Sequence, residues 1–146
     1  MDFDGETRIA ASPALVWQAL NDPAHLAACI PGCERFEPVG EGFSATVAIR
    51  IGSLAARFGG TVTLSEVVEE QSYTLTGQGQ GGVAGFVRGH AEVSLKEDGA
   101  GTVLRWTAKA ELGGRVASVG GRLLHGFATR MAGEFFSRLA ERLGTE

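Results

Sequence analysis

The chain has no apolar run near the roughly 18 residues that a membrane-spanning helix needs. Its N-terminus, Met1-Asp2-Phe3-Asp4, is acidic and lacks the basic and apolar regions of a secretory signal. The expected compartment is therefore the cytoplasm. Positive charge is short as well: 13 Lys and Arg against 17 Asp and Glu give a formal net charge of −4. That argues against nucleic acid as the main partner, since phosphate binding needs a basic footprint. Cysteine is limited to Cys29 and Cys33, on either side of Ile30-Pro31-Gly32. A structural zinc site wants four ligands, and no second Cys/His pair has suitable spacing. The two thiols read as small packing residues at a turn, and no metal or cofactor is expected. The chain also lacks a G-x-S-x-G elbow, a His-Glu-x-x-His helix and a Walker loop. His25, His90 and His125 are scattered. Gly77-Gln78-Gly79-Gln80-Gly81-Gly82 has nucleotide-loop glycines, but a strand follows them and not a helix, which voids the match.

What is present suits a single domain spanning residues 1–146. Phe3 to Ile9 alternates as a strand. Ser12-Pro13 then starts a helix running to Leu20, and Asp22-Pro23 starts a second over Ala24 to Ala28. From Cys33 the chain reads as six strands with short connections, which implies antiparallel pairing. After Leu112-Gly113-Gly114 the apolar period changes from two to 3.6. Val119, Leu123, Phe127, Met131, Phe135, Leu139 and Leu143 recur every fourth residue, flanked by Val116, Leu124 and Phe136. This predicts an amphipathic helix of about 30 residues, about 45 Å long. A curved antiparallel sheet wrapped around a long C-terminal helix, with two short helices after the first strand, is the helix-grip arrangement, an α+β architecture.

The 22 glycines are the anomaly. One strand face reads Tyr73, Leu75, Gly77, Gly79; the next reads Val87, Gly89, Ala91, Val93; the third reads Trp106, Ala108, Ala110, Leu112. Such a face cannot fill its own core. Either the helix packs closely against it, helped by Gly120, Gly126 and Gly133, or a space remains for a ligand. The expected pocket walls are Val47, Phe58, Tyr73, Leu75, Gly77, Gly79, Gly89, Ala91, Trp106, Ala108, Leu123, Phe127 and Met131. Strand parity turns Arg50, Arg88, His90, Glu92, Arg105, Lys109 and Glu111 to solvent; Glu66 shares the inner parity but lies near a strand end, so solvation is the simpler account. No catalytic residue is expected, because no titratable group is placed to face the pocket. The last helix is rich in arginine, so Arg115, Arg122 and Arg130 are candidates for a partner or membrane surface. Ordinary i,i+4 pairing of Arg130, Glu134 and Arg138 is the alternative.

Ile30-Pro31-Gly32-Cys33-Glu34, Gly85-Phe86-Val87-Arg88-Gly89-His90-Ala91 and Gly113-Gly114-Arg115-Val116-Ala117-Ser118-Val119-Gly120, together with Phe135-Phe136, resemble the CoxG family, the G subunits of carbon monoxide dehydrogenase. The resemblance covers essentially the whole chain and implies a START-like (SRPBCC) helix-grip fold enclosing a lipophilic ligand. It further implies a non-enzymatic accessory of a molybdenum hydroxylase such as aerobic carbon monoxide dehydrogenase. The implied task is membrane recruitment or handling of the quinone acceptor, and the implied partners are a quinone or lipid and the hydroxylase subunits. Longer members carry a tail and an apolar anchor beyond the domain. This chain stops at Glu146, so the resemblance implies at most a weak peripheral contact with the inner face of the cytoplasmic membrane. Two other functions fit the same fold: a cyclase or hydrolase with an acid or base in its cavity, and a docking factor with a collapsed core.

Overall fold

A computed structural model describes residues 1–143. Seven strands form one antiparallel sheet: β1 (Asp2–Ile9), β2 (Cys33–Val39), β3 (Gly42–Ile51), β4 (Leu54–Val68), β5 (Ser72–Gln80), β6 (Phe86–Asp98) and β7 (Gly101–Gly113). Their order is β1-β7-β6-β5-β4-β3-β2, a meander whose last strand pairs back with the first. Two short helices, α1 (Pro13–Leu20) and α2 (Pro23–Cys29), connect β1 to β2, and α3 (Gly121–Leu143) closes the fold. This is the helix-grip arrangement that the periodicities predict. Local chemistry sets the helix starts. The Ser12 side chain accepts from the Leu15 N–H at 3.3 Å, the Asp22 carboxylate accepts from the Ala24 N–H at 2.9 Å, and proline follows each cap.

The last helix is shorter than its apolar stripe suggests. Gly114–Val119 forms a 3-10 turn, and α3 begins only at Gly121. Gly120 stands between them at φ +105°, a conformation that side chains disfavour and that interrupts the helical backbone. The described helix has 23 residues, about 34 Å at 1.5 Å each. The end of the expected 30-residue helix, at Gly144-Thr145-Glu146, lies outside the described residues. The stripe also winds, because four residues advance about 400°, roughly 40° past a full turn. At the start of α3 it is therefore Leu124 that is buried, whereas Leu123 is 52% exposed.

Apolar packing gathers at the two ends of α3. At its C-terminal end Leu139 joins Ile9, Val16, Leu20, Cys29 and Leu104 beneath α1 and α2. Arg142 Nε donates to His25 Nδ1 at 2.9 Å and ties α3 to α2 there. At its N-terminal end Leu124 packs with Ile51 and Val116, bordered by Phe58, Leu112 and Val119. Between these clusters the sheet presents its smallest side chains. Gly77 of β5 lies opposite Gly89 of β6, which lies opposite Ala110 of β7; in the next row Leu75, Ala91 and Ala108 align.

The glycines have separate causes. A Cβ at Gly60 would lie 2.0 Å from the Gln78 carbonyl oxygen, and one at Gly89 2.1 Å from that of Lys109. Neighbouring backbones approach too closely there for any side chain, as a strongly coiled sheet requires. Gly79 differs, since a Cβ there meets nothing nearer than 3.8 Å. Gly126 and Gly133 of α3 have nothing within 4 Å, so they do not help the helix approach the sheet. Glu66 also departs from its parity. A register shift between Ser65 and Val68 turns it outward at φ +52°, where the Thr74 hydroxyl donates to its carboxylate at 3.1 Å.

Urea unfolding separates these classes of glycine. Gly126→Ala and Gly133→Ala should each stabilise the fold by about 1 kcal/mol. Gly60→Ala and Gly89→Ala should each destabilise it by more than about 1 kcal/mol. The opposite order would contradict these backbone contacts.

Candidate functional site

Two adjoining hollows lie between the inner sheet face and α3. The first, about 300 Å³, is walled by Leu64, Leu75, Ala91 and Trp106 of the sheet and by Ala132, Phe135 and Phe136 of α3. Leu26 and Ile30 close it from the side of α2, and Phe36 of β2 stacks on Phe43 of β3 with centroids 4.9 Å apart. The second, also about 300 Å³, is lined by Val47, Phe58, Gly77, Gly79, Val87 and Phe127. Val62 stands on both walls. A smaller space of about 160 Å³ continues past Val87 and Phe127 to Val116 and Leu124. A larger recess, about 780 Å³, is elsewhere. It lies on the opposite sheet face among Thr61, Thr76, Gln78, Arg88 and Lys109, open to water. Its walls mix charged and polar side chains with apolar ones, unlike the apolar lining that suits a lipophilic ligand.

The residues expected at the pocket divide accordingly. Tyr73, Leu75, Ala91 and Trp106 stand on the first hollow; Val47, Phe58, Gly77, Gly79 and Phe127 stand on the second. The other four do not line either hollow. Leu123 points to solvent. Gly89 borders the outer recess instead. Ala108 lies opposite Phe3 of β1, whose ring packs on His125 at 5.1 Å and occupies the space beside it. Met131 is half-buried on α3 away from both walls. The wall contributed by α2 and β2 is additional. Phe36 on the inner parity of β2, and the i,i+4 pair Leu26 and Ile30, were its only sequence signals.

Among the described residues, the lining of the two hollows contains no Lys, Arg, His, Asp or Glu. Its one titratable side chain is Tyr73, 6% exposed, whose ring meets Trp17 edge-on at 5.4 Å. Desolvation pushes the Tyr73 phenol well above its ordinary value. Burial likewise raises both cysteine thiols, Cys29 within the core and Cys33 at its edge. Among the described residues no three His, Cys, Asp or Glu are grouped to hold a metal ion. Nor is any helix there long and apolar enough to cross a membrane. Arg50, Arg88, His90, Glu92, Arg105, Lys109 and Glu111 all face outward, as strand parity requires. On the arginine-rich segment Arg115 and Arg122 are exposed without an ion pair to any described residue. Arg130 sits over the Phe127 ring at 5.8 Å, leaving Glu134 to Arg138 at 4.0 Å.

A seven-stranded sheet gripping a C-terminal helix around an apolar interior is the START-like helix-grip fold. The particular family follows from the sequence: the chain belongs to the CoxG family, the G subunits of carbon monoxide dehydrogenase, whose model matches residues 5–144. A conserved protein from Geobacillus kaustophilus has a similar structure, with 28% identity and a TM-score of 0.91 over 97% of this chain and 94% of that one. A START superfamily protein from Mycobacterium smegmatis is 14% identical, with a TM-score of 0.73 over 97% and 96% of the two chains. The Zhui aromatase/cyclase from Streptomyces sp. R1128 is 12% identical, with a TM-score of 0.72 over 97% and 92%. The last two share the fold alone. A search of curated proteins gives no match.

The Tyr73 environment sets an alkaline limit. The folded state disfavours the phenolate, so this group's contribution to stability is intact below the unfolded value of about 10 and is lost as pH rises beyond it. Between about pH 10 and 11.5 the urea midpoint should fall more steeply for the wild type than for Tyr73→Phe. Parallel curves would mean that the ring is solvated.

Proposed function

We propose that this protein is a non-enzymatic carrier that shelters a lipophilic small molecule, a quinone, for a molybdenum hydroxylase of the carbon monoxide dehydrogenase type. The observation that carries this reading is the pair of apolar hollows meeting at Val62. A quinone ring and its isoprenoid tail need cover from water, and apolar walls without charged groups provide it. Membership of the CoxG family supports the hydroxylase as the partner. The exposed Arg115 and Arg122 support a weak contact of this end with an acidic partner or an anionic membrane surface. A cyclase or hydrolase would need an acid or base beside its substrate, and the lining offers only the phenol of Tyr73.

Solvent extraction of the purified protein followed by mass spectrometry should release a quinone or related lipid. Titration with menadione should quench Trp17 and Trp106 fluorescence, since Trp106 is on the wall and Trp17 contacts Tyr73. Gly79→Val and Ala91→Leu project into the second and first hollows. Each should weaken binding by about tenfold or more, with little loss of thermal stability where space allows the added atoms. No extracted lipid together with no quenching would rule out the carrier.

A further inference from the structure

The carrier reading leaves open which part of a ligand enters first and how it is held. The first hollow contains one feature that packing does not explain. Tyr73 is more than nine-tenths buried, yet its hydroxyl makes no hydrogen bond to any other described residue. Buried hydroxyls ordinarily have partners, because desolvating one without compensation is costly. Among the described residues, however, no side-chain oxygen or nitrogen is both sealed off and unpartnered. The hydroxyl therefore keeps some exposed surface; Tyr73 stands on the wall of the first hollow and also borders an outer recess beside Ser72, Thr74 and Trp106.

We propose that the Tyr73 hydroxyl is the polar anchor of the site, donating a hydrogen bond to a neutral carbonyl oxygen on a flat ring held in the first hollow, with the ligand's apolar tail in the second. The inference rests on the carrier reading and specifies its ligand. Three observations select this chemistry. The free group is a hydroxyl, which supplies one donor. No Lys, Arg or His among the described residues lines either hollow, so a carboxylate head would be buried without a counter-charge, which is strongly unfavourable. Trp106, Phe36, Phe43, Phe135 and Phe136 surround the first hollow with aromatic faces and edges, which suit a planar ring. The second hollow, floored by Gly77 and Gly79 and crossed by Phe127, has the narrower chemistry of an alkyl channel. Because burial raises the phenol, the donor keeps its proton throughout the physiological range.

The test uses the intact protein and Tyr73→Phe with three probes of similar size: menadione, 2-methylnaphthalene and 2-naphthoate. Wild-type protein should bind menadione about three- to tenfold more tightly than 2-methylnaphthalene, the span of one neutral hydrogen bond, and 2-naphthoate most weakly. Tyr73→Phe should erase the menadione preference, leave 2-methylnaphthalene unchanged and unfold at the same or a higher temperature. The carbonyl stretch of bound menadione should rise in frequency in the variant. The wild-type preference should be flat from pH 6 to 9. Unchanged menadione affinity and carbonyl frequency in Tyr73→Phe, with 2-methylnaphthalene still bound, would overturn the anchor and leave the carrier standing. Failure of the wild type to bind any of the three probes would overturn both.

Discussion

Neighbouring strands in this sheet approach so closely at Gly60 and Gly89 that the position of a Cβ falls about 2 Å from the next strand's carbonyl oxygen. Only glycine fits such contacts, and they let 13- and 15-residue strands coil far enough to grip a helix. The same contacts remove side chains from the middle of the inner face. The helix is anchored mainly towards its ends, by Leu139 with Phe135 and Phe136 in one cluster and by Leu124 with Phe127 in the other. The interior space is a consequence of how the sheet bends. Gly79 and Ala91, which the bend does not demand so strictly, enlarge it further.

Stability and the site share part of one core, since Tyr73, Leu75, Trp106 and Phe135 belong to the C-terminal cluster and also face the first hollow. The two clusters hold α3, supported by Ser12 and Asp22 caps and by the Thr102 hydroxyl, which donates to the Ala11 carbonyl at 2.7 Å. The span between them loses the dispersion contacts a filled core would have. A ligand there restores those contacts and stabilises the folded state by mass action. The unpartnered Tyr73 hydroxyl belongs to the same pattern: a donor that a bound carbonyl can engage. Natural proteins tend to break packing and hydrogen-bonding rules at sites of function.

Much of the fold was legible because its signals are local. The two cap-and-proline starts and the strand parity that sends Arg88, His90 and Lys109 outward are short-range patterns. The start of α3 was not legible, because the apolar period runs unbroken across Gly120 and Gly121 while the backbone does not. Leu123 was misplaced through the slow winding of its stripe. Glu66 is solvated, as its place near a strand end suggests, although the bulge that turns it outward cannot be located from periodicity alone. Among the wall residues, Tyr73, Ala91 and Gly79 followed from parity. Leu26, Ile30 and Phe36 did not, since their place depends on how α2 folds over the sheet edge. Gly126 and Gly133 show the converse limit: small residues in the helix fit either close packing or a space beside the sheet, and a Cβ at either would meet nothing within 4 Å.

The space between sheet and helix stays open in the unliganded protein. Methyl NMR under xenon pressure tests it directly, because xenon enters apolar cavities of this kind. Saturable shifts should appear at Val62, Leu64, Leu75 and Val87, with none at the exposed Val39, Val67 and Val83. Shifts that stay linear and equal at all these methyls would contradict it, and would mean that Phe127 and Phe135 have collapsed onto the glycine face.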